Sequence, residues 1–280
     1  MGGDNRHGPF LFSRFLGPVG TDGLAVENTH VGTFLATVIG NLAIIVFSLF
    51  FALPAFVCGW LPPRGNVTFF CARAWAHVLL FFCGVRVRAL LDPALESRKP
   101  GDHYIYMANH QSLFDIPVLL ATLPGQTRFM AKQGLFRIPI FGWALSAGGF
   151  IPVDRQDRSR AKEAFASAVA RLQAGASVLV FPEETRSLDG RLLAFQRGGF
   201  LLALKSGLPI VPVGIAGTLA VQGKRSFLIH PGEVSVRYGA PIAMTGFDLR
   251  QKRELLLIVR DRIAQLAGAP VELSTEAVET

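Results

Sequence analysis

One long apolar run near the N-terminus constrains this chain more than any other feature. Residues 31–53 contain no charged side chain, and Asn41 is the most polar of them. As a helix, the run measures roughly 34 Å, which is enough to cross the ~30 Å hydrocarbon core of a bilayer. It is too long for a signal peptide and follows a polar segment, residues 1–30, that contains Pro and Gly. The run therefore predicts a retained membrane helix.

A second apolar stretch, residues 69–85, is shorter and carries Arg73 and His77. These features favour an interfacial or re-entrant helix over a second span, so we expect residues 31–84 to form membrane-anchoring helices. The alternative is that both stretches are core helices of a soluble protein. Three prolines are expected to break the path between the stretches: Pro54, Pro62 and Pro63.

The charge balance indicates an anionic partner. The formal net charge is +8, although only 17% of the residues are charged and 50% are hydrophobic. Nucleic acid is not expected as a partner, because the chain has no zinc-finger spacing, leucine heptad or clustered basic run. Anionic lipid fits both the charge and the apolar content. Lys and Arg are denser in residues 54–100 than before residue 31, which predicts a cytoplasmic C-terminal domain and location in the inner membrane if the source is bacterial.

Short β-branched runs alternate with helical patterns after residue 84, which predicts one α/β domain over residues 85–267. Its central sheet should be largely parallel and flanked by helices, and residues 268–280 should form a flexible tail. Ligands of such sheets gather at the carboxyl ends of the strands. The predicted strands are 85–91, 103–109, 127–132, 149–153, 177–182, 209–215 and 233–239. The predicted helices are 112–122, 134–147, 158–174, 196–206 and 247–267.

The first candidate motif, residues 109–115 (NHQSLFD), follows a predicted strand. His110 and Asp115 would lie about 140° apart on a regular helix, so they meet only if His110 precedes the helix in a turn. Asp115 would then hold one ring nitrogen, and the other could accept a proton from a hydroxyl. The alternative is structural: Ser112 caps the helix and His110 is an ordinary loop residue. Asn109 is a candidate supporting residue.

Three further motifs place cations at strand ends. In residues 181–187 (FPEETRS), Arg186 can bind phosphate oxygens as a planar fork while Glu183 accepts from an amide or hydroxyl. Arg155 ends the strand of residues 151–155, and Lys132 ends the strand of residues 127–132. Lys132 can neutralise negative charge or a phosphate. The alternatives are a local salt bridge, a solvated arginine and a lysine extended along a sheet edge.

Other chemistries find little support in the sequence. Gly198 opens a predicted helix, where the backbone can approach an anion closely. The chain has no nucleophile elbow, phosphate-binding loop or zinc-protease motif, so a covalent acyl-enzyme would have to use Ser112. Neither the histidines nor the three cysteines have metal-ligand spacing, and no metal is expected.

Taken in order, these segments resemble the glycerolipid acyltransferase family typified by the 1-acyl-sn-glycerol-3-phosphate acyltransferases. Residues 109–115 resemble its first block (N-H-x4-D), residues 150–155 (FIPVDR) its second and residues 181–187 its third. Residues 211–213 (VPV) resemble the fourth. The likeness covers roughly residues 70–240 and implies an α/β domain joined to an N-terminal helical membrane anchor.

The resemblance implies that His110 is the general base, oriented by Asp115, and that the acceptor hydroxyl attacks an acyl thioester directly. It assigns Glu183, Arg186 and Arg155 to the acceptor phosphate and places Lys132 near the reacting centre. The donor would be acyl-CoA or acyl-carrier protein, the acceptor a lysophosphatidic acid at the bilayer, and the product phosphatidic acid for phospholipid biosynthesis. No cofactor is implied.

One position departs from the family pattern. Glu184 replaces the usual glycine of the third block and adds negative charge near the expected phosphate site. Glycerol 3-phosphate and a lyso-ornithine lipid therefore stay open as acceptors. A non-catalytic protein that binds anionic lipid is a further alternative, and it predicts that loss of His110 leaves function intact.

Overall fold

The computed structural model describes residues 23–59, 61, 65–99, 101–153 and 158–268. Arg155, most of the predicted segment 1–30 and nearly all of the predicted tail 268–280 lie outside these residues. Within these ranges, the side chains are described from residue 32 onward, with the exception of residues 158–162.

A seven-stranded sheet forms the centre of the molecule, in the order β1-β7-β6-β2-β5-β3-β4. Every neighbouring pair is parallel except β6 and β7, which are antiparallel. This confirms the prediction of a largely parallel sheet flanked by helices. The strands are β1 Val85–Leu91, β2 Ile105–Ala108, β3 Thr127–Lys132, β4 Ile151–Val153, β5 Ser177–Val180, β6 Ile210–Ala216 and β7 Gly232–Tyr238.

Burial along the strands follows their place in the sheet. All four residues of β2 and of β5 are buried, as expected of central strands covered on both faces. β1 is an edge strand paired with β7 alone, and it exposes Arg86 and Arg88. Charged side chains on an edge strand oppose pairing with another chain.

Helices cover both faces of the sheet and enclose two apolar cores. Because neighbouring side chains on a strand point to opposite faces, Tyr106 joins the core under α2 and α4, whereas Ile105 and Met107 join the core under α6, α7 and α9. The helices are α1 Gly23–Cys58, α2 Asn66–Phe82, α3 Pro93–Glu96, α4 Asp115–Thr122, α5 Phe141–Ala147, α6 Arg158–Gln173, α7 Gly198–Ser206, α8 Thr218–Val221 and α9 Lys252–Ala267.

α1 packs against α2 and α5 through small residues and a few aromatic rings, and it exposes many of its large aliphatic side chains. Ala43, Ala52 and Ala55 are buried, whereas Leu42 and Leu49 are more than half exposed. Only 17% of the most apolar window of α1 is buried, so α1 is not a core helix of the kind found in soluble proteins. Among the described residues, α1 is the one helix long and apolar enough to cross a membrane.

The expectation that Pro54 breaks the helical path is wrong, because α1 continues through Pro54 to Cys58. A proline inside a helix removes one backbone hydrogen bond and crowds the preceding turn, at a cost of about 3 kcal/mol. Packing on both sides of the proline offsets that cost. Ala52 and Ala55 belong to a small apolar core with Ala144, and the Ala55 carbonyl accepts a hydrogen bond of 2.9 Å from the Thr68 hydroxyl.

Candidate active site

His110 and Asp115 meet at the carboxyl end of β2. His110 lies in the turn that follows the strand, and Asp115 is the first residue of α4. The distance from His110 Nδ1 to Asp115 Oδ2 is 2.7 Å, and the aspartate is fully buried. With Nδ1–H donating to the carboxylate, Nε2 of a neutral imidazole is the nitrogen that can accept a proton.

The Asp115 carboxylate has three further partners, which fix its orientation. The backbone N–H groups of Gln111 and Ser112 donate to Oδ2 at 2.8 and 2.9 Å. The Thr218 hydroxyl donates to Oδ1 at 2.5 Å. These hydrogen bonds hold the carboxylate in one orientation and so fix the imidazole that donates to it.

Asn109 and Ser112 have structural hydrogen bonds. The Asn109 side chain accepts from the backbone N–H of Ile215 at 2.7 Å and donates to the carbonyl of the same residue at 2.9 Å. It thereby continues the pairing of β2 with β6 by one residue. The buried Ser112 hydroxyl donates to the Gln222 carbonyl at 2.7 Å and accepts from the Phe114 N–H at 3.2 Å. These contacts give Ser112 a structural role and lend no support to a nucleophilic one.

The segment after β5 lies against His110. The Phe181 ring stacks on the imidazole with a centroid distance of 4.0 Å and an interplanar angle of 18°. Glu183 is buried, and its Oε1 accepts from the backbone N–H of His110 at 2.7 Å. Its Oε2 accepts from the backbone N–H of Leu193 at 2.8 Å. Desolvation raises the pKa of Glu183 to about 7, and the two N–H bonds oppose that shift.

A cavity of about 920 Å³ opens beside this cluster and is lined by His110. Much of its wall is apolar and comes from the facing sides of α1, α2 and α5. A largely apolar space of this size suits a hydrocarbon chain, because burial of each CH₂ contributes about 0.8 kcal/mol. Representative apolar lining residues are Phe51, Ala55, Ala72, Trp75, Ala144 and Leu145.

Among the residues that the structure describes, four cationic side chains and one acidic side chain also line the cavity. The structure brings two predicted residues, Lys132 and Arg186, to the same space as His110, together with Glu184. The other two cations, Arg137 and Lys224, were not predicted. Arg137 is the last residue of a 3₁₀ helix, and Lys224 follows α8, so neither lies in one of the four blocks identified in the sequence.

Lys224 connects two parts of the site. Its Nζ donates to the carbonyl of Arg186 at 2.6 Å and to the hydroxyl of Thr185 at 3.1 Å. The loop after α8 therefore supports the segment that carries Arg186. Five of the described residues that were predicted for the site are not among those that line the cavity: Asn109, Ser112, Asp115, Glu183 and Gly198. Among the described residues, no group of three His, Cys, Asp or Glu side chains is placed to hold a metal ion.

Comparisons with known proteins agree with this architecture. Residues 93–216 match a family model described as Acyltransferase. The chain is 36% identical over 214 residues to the chloroplast 1-acyl-sn-glycerol-3-phosphate acyltransferase of Arabidopsis thaliana, which covers 75% of this chain and 58% of that protein. It is 35% identical to a chloroplast relative from Brassica napus of the same description and spans 62% of that protein's length.

A bacterial relative and a solved structure extend the likeness. The 1-acyl-sn-glycerol-3-phosphate acyltransferase of Escherichia coli is 32% identical over 191 residues, which cover 65% of this chain and 77% of that protein. The crystal structure of the 1-acyl-sn-glycerophosphate (LPA) acyltransferase PlsC from Thermotoga maritima has the same fold, with a TM-score of 0.71 at 24% identity, over 87% of this chain and all of that one. The chain therefore belongs to the acyltransferase family that includes the 1-acyl-sn-glycerol-3-phosphate acyltransferases.

Proposed function

We propose that the chain transfers a fatty acyl group from a thioester to the sn-2 hydroxyl of 1-acyl-sn-glycerol 3-phosphate and so makes phosphatidic acid. The observation that carries this proposal is the His110–Asp115 pair, whose imidazole lines a cavity that also has apolar helix side chains and four of the described cations in its wall. The names of the relatives support the choice of acceptor. The donor is acyl-CoA or acyl-carrier protein.

In the proposed reaction, Nε2 of His110 accepts the proton of the acceptor hydroxyl as its oxygen attacks the thioester carbonyl. A carbon–oxygen bond forms, the carbon–sulfur bond breaks, and the proton passes from the imidazolium to the departing thiolate. Asp115 stabilises the imidazolium between the two transfers. Lys132 is placed to stabilise negative charge that develops in the cavity. Because a thioester is already activated, alignment and proton transfer suffice, and we propose no cofactor.

The acceptor phosphate is a dianion and needs more than one cation. We propose Arg186 and Lys224 for this role, and Arg155 on the basis of the family resemblance. Glu183 is left out of this set, because its carboxylate is buried and each oxygen already accepts a backbone N–H.

We further propose that α1 and α2 hold the enzyme on a bilayer with its catalytic domain facing the cytoplasm. The exposed apolar face of α1 supports this placement. The cavity beside His110 is lined by the same two helices, so a lipid acceptor could enter it from the membrane without crossing water.

Replacement of the base tests the reaction. We expect His110→Ala to lower kcat for phosphatidic acid formation by about 10² to 10⁴ while the protein stays folded and membrane-bound. His103→Ala is the matched control. His103 lies just before the N-terminal end of β2, at the opposite end of the strand from His110, and its ring is hydrogen-bonded to the nearby Gly101 carbonyl. Equal rates for the wild type and His110→Ala would refute the enzymatic proposal and favour a lipid-binding protein.

An acceptor panel tests the substrate. Purified membranes are assayed with 1-acyl-sn-glycerol 3-phosphate, glycerol 3-phosphate and a lyso-ornithine lipid, with kcat/KM as the measure. Glu184 favours inclusion of the ornithine lipid, since a carboxylate on the cavity wall suits an ammonium group. A preference for the phosphate-free acceptor would replace our choice.

A further inference from the structure

The segment after β5 holds the backbone and the ring of His110 at three points. Phe181 stacks on its ring, and the backbone N–H of Ser187 donates to its carbonyl at 2.8 Å. Its own N–H donates to Glu183 Oε1 at 2.7 Å. A fourth contact, the hydrogen bond to Asp115, orients the imidazole. The conformation of the catalytic turn is therefore set from a segment more than 70 residues further along the chain.

Of the three residues that contact His110 from the segment after β5, Glu183 is the one whose side chain is hydrogen-bonded to two separate loops. Its two carboxylate oxygens accept from the N–H groups of His110 and Leu193, so it ties the turn after β2 to the loop before α7. It is 4% exposed and is not among the residues that line the cavity, whereas its neighbours Glu184 and Arg186 are. An ionised carboxylate only accepts hydrogen bonds, so this side chain matches two facing N–H donors.

Burial and the two N–H bonds act in opposite directions on the charge of Glu183. Burial raises its pKa to about 7, and the negative charge of Asp115 acts in the same direction. The two N–H bonds and the guanidinium of Arg260 act in the opposite direction. A carboxylate that is desolvated by burial and stabilised by backbone N–H groups is suited to hold structure, whereas a phosphate ligand would have to face the cavity.

We propose that Glu183 is a positioning residue, which fixes the backbone of His110 so that the imidazole is aligned with the acceptor hydroxyl, and that it does not contact the acceptor phosphate. The kinetic part of this proposal rests on the proposed function. An amide at this position can accept only one of the two N–H groups and must turn its own NH₂ toward the other. The His110 turn would then shift.

The kinetic test separates positioning from phosphate binding. We expect Glu183→Gln to lower kcat by about 10-fold to 100-fold, since small misplacements of a catalytic group cost this much. KM for 1-acyl-sn-glycerol 3-phosphate should stay within about twofold, because no acceptor contact is lost. Arg186→Gln is the contrasting variant and should raise KM. Glu233→Gln is the matched control, because Glu233 is an exposed glutamate paired with Arg88 at the sheet edge.

A chemical readout covers the case in which the acceptor assignment is wrong. Diethyl pyrocarbonate modifies accessible imidazoles, and peptide mass mapping gives the rate at His110 alone. We expect the rate at His110 to rise in Glu183→Gln, because the turn is released, and the rate at His103 to stay the same. Glu183→Asp keeps the charge but is one methylene shorter, so it should lose one bond and give intermediate values. It replaces Glu183→Gln if that variant does not fold.

Two outcomes overturn the proposal. The first is a folded Glu183 variant with raised KM and wild-type kcat, which would make Glu183 an acceptor ligand. The second is a folded variant whose His110 modification rate equals that of the wild type. If the wild type is inactive toward 1-acyl-sn-glycerol 3-phosphate but the His110 rate still rises in the variant, then the acceptor assignment fails and the positioning role stands.

Discussion

Glu184 occupies a backbone conformation that favours glycine, with φ of 57°. A side chain in this left-handed region costs roughly 1 to 2 kcal/mol, because Cβ approaches the following carbonyl. The family that this chain resembles usually has glycine here. The strain therefore brings one carboxylate to the wall of a cavity that also contains Lys132, Arg137, Arg186 and Lys224. Strain retained beside a binding site suggests a role in the choice of acceptor.

Two substitutions at this position separate strain from charge. We expect Glu184→Gly to stabilise the fold by about 1 kcal/mol, which raises Tm by roughly 2–4 °C in a domain of this size. It should also lower KM for a dianionic acceptor, because the substitution removes a negative charge that repels the acceptor phosphate. Glu184→Ala removes the charge and keeps the strain, so it should lower KM to the same extent with Tm unchanged. Equal Tm values for Gly and Ala variants would contradict the strain argument.

Sequence spacing was sufficient to predict the contact between some of the site residues and insufficient to predict it for others. His110 and Asp115 are five positions apart, so local geometry predicts their contact once a turn is placed before α4. Thr218 bonds Asp115 from 103 positions away, and only the arrangement of β2 beside β6 brings it there. The partners of Glu183 are backbone N–H groups, one of them 73 positions away, and residue types do not reveal such contacts.

At the scale of elements, the bounds of the strands and the C-terminal ends of the helices were predicted to within two residues, whereas the starts of α4 and α9 were placed three and five residues too early. β1 and β3 have the predicted bounds. The predicted helix 134–147 is instead a 3₁₀ helix, Gln133–Arg137, followed by α5. Pro139 cannot donate a hydrogen bond, and Ile140 has φ of 64°, so the chain turns between the two helices. The short helices α3 and α8 were missed because four residues carry no periodicity.

Contact between β6 and α9 depends on a glycine. A Cβ on Gly214 would lie 2.3 Å from the backbone N of Ala267 and 2.3 Å from the backbone C of Leu266, so the helix would have to move. We expect Gly214→Ala to lower the free energy of unfolding by about 3 kcal/mol or more, as for overpacked cores. Thermal unfolding in detergent measures this loss.

Gly198→Ala is the matched control for this substitution. Gly198 is the first residue of α7, and a Cβ there meets nothing within 4 Å. The control variant should be neutral or more stable by up to about 1 kcal/mol, because alanine is the better helix former. Activity should also be unchanged if the backbone at Gly198 binds no anion. A stable Gly214→Ala protein would show that α9 does not lie closely against β6.

At the scale of the whole molecule, the two faces of the sheet have different surroundings. α1 and α2 lie over one face and contribute exposed large apolar side chains, whereas α6, α7 and α9 cover the other. The cavity lies on the first side, between the sheet and the two helices. This asymmetry supports the proposal that one side of the enzyme meets the bilayer and admits lipid directly to His110.

Charges on the exposed face of α1 test this arrangement. Leu42 and Leu49 are seven residues apart on one helix face and are 60% and 51% exposed. An aspartate inside the hydrocarbon region costs about 3 kcal/mol, so Leu42→Asp with Leu49→Asp should move the protein from sedimenting vesicles to the supernatant. The matched control is Leu257→Asp, because Leu257 is 45% exposed on α9, on the opposite layer. It should leave sedimentation unchanged.

The double variant also separates anchoring from catalysis. Neither leucine lines the cavity, so turnover of acceptor dispersed in detergent should stay near the wild-type rate, whereas turnover of acceptor embedded in vesicles should fall. Equal losses in both assays would mean that α1 supports the catalytic fold and does not deliver the enzyme to its substrate. Full sedimentation of the double variant would contradict the membrane-facing assignment of this face of α1, because both aspartates would then have to lie in hydrocarbon at a cost of about 3 kcal/mol each.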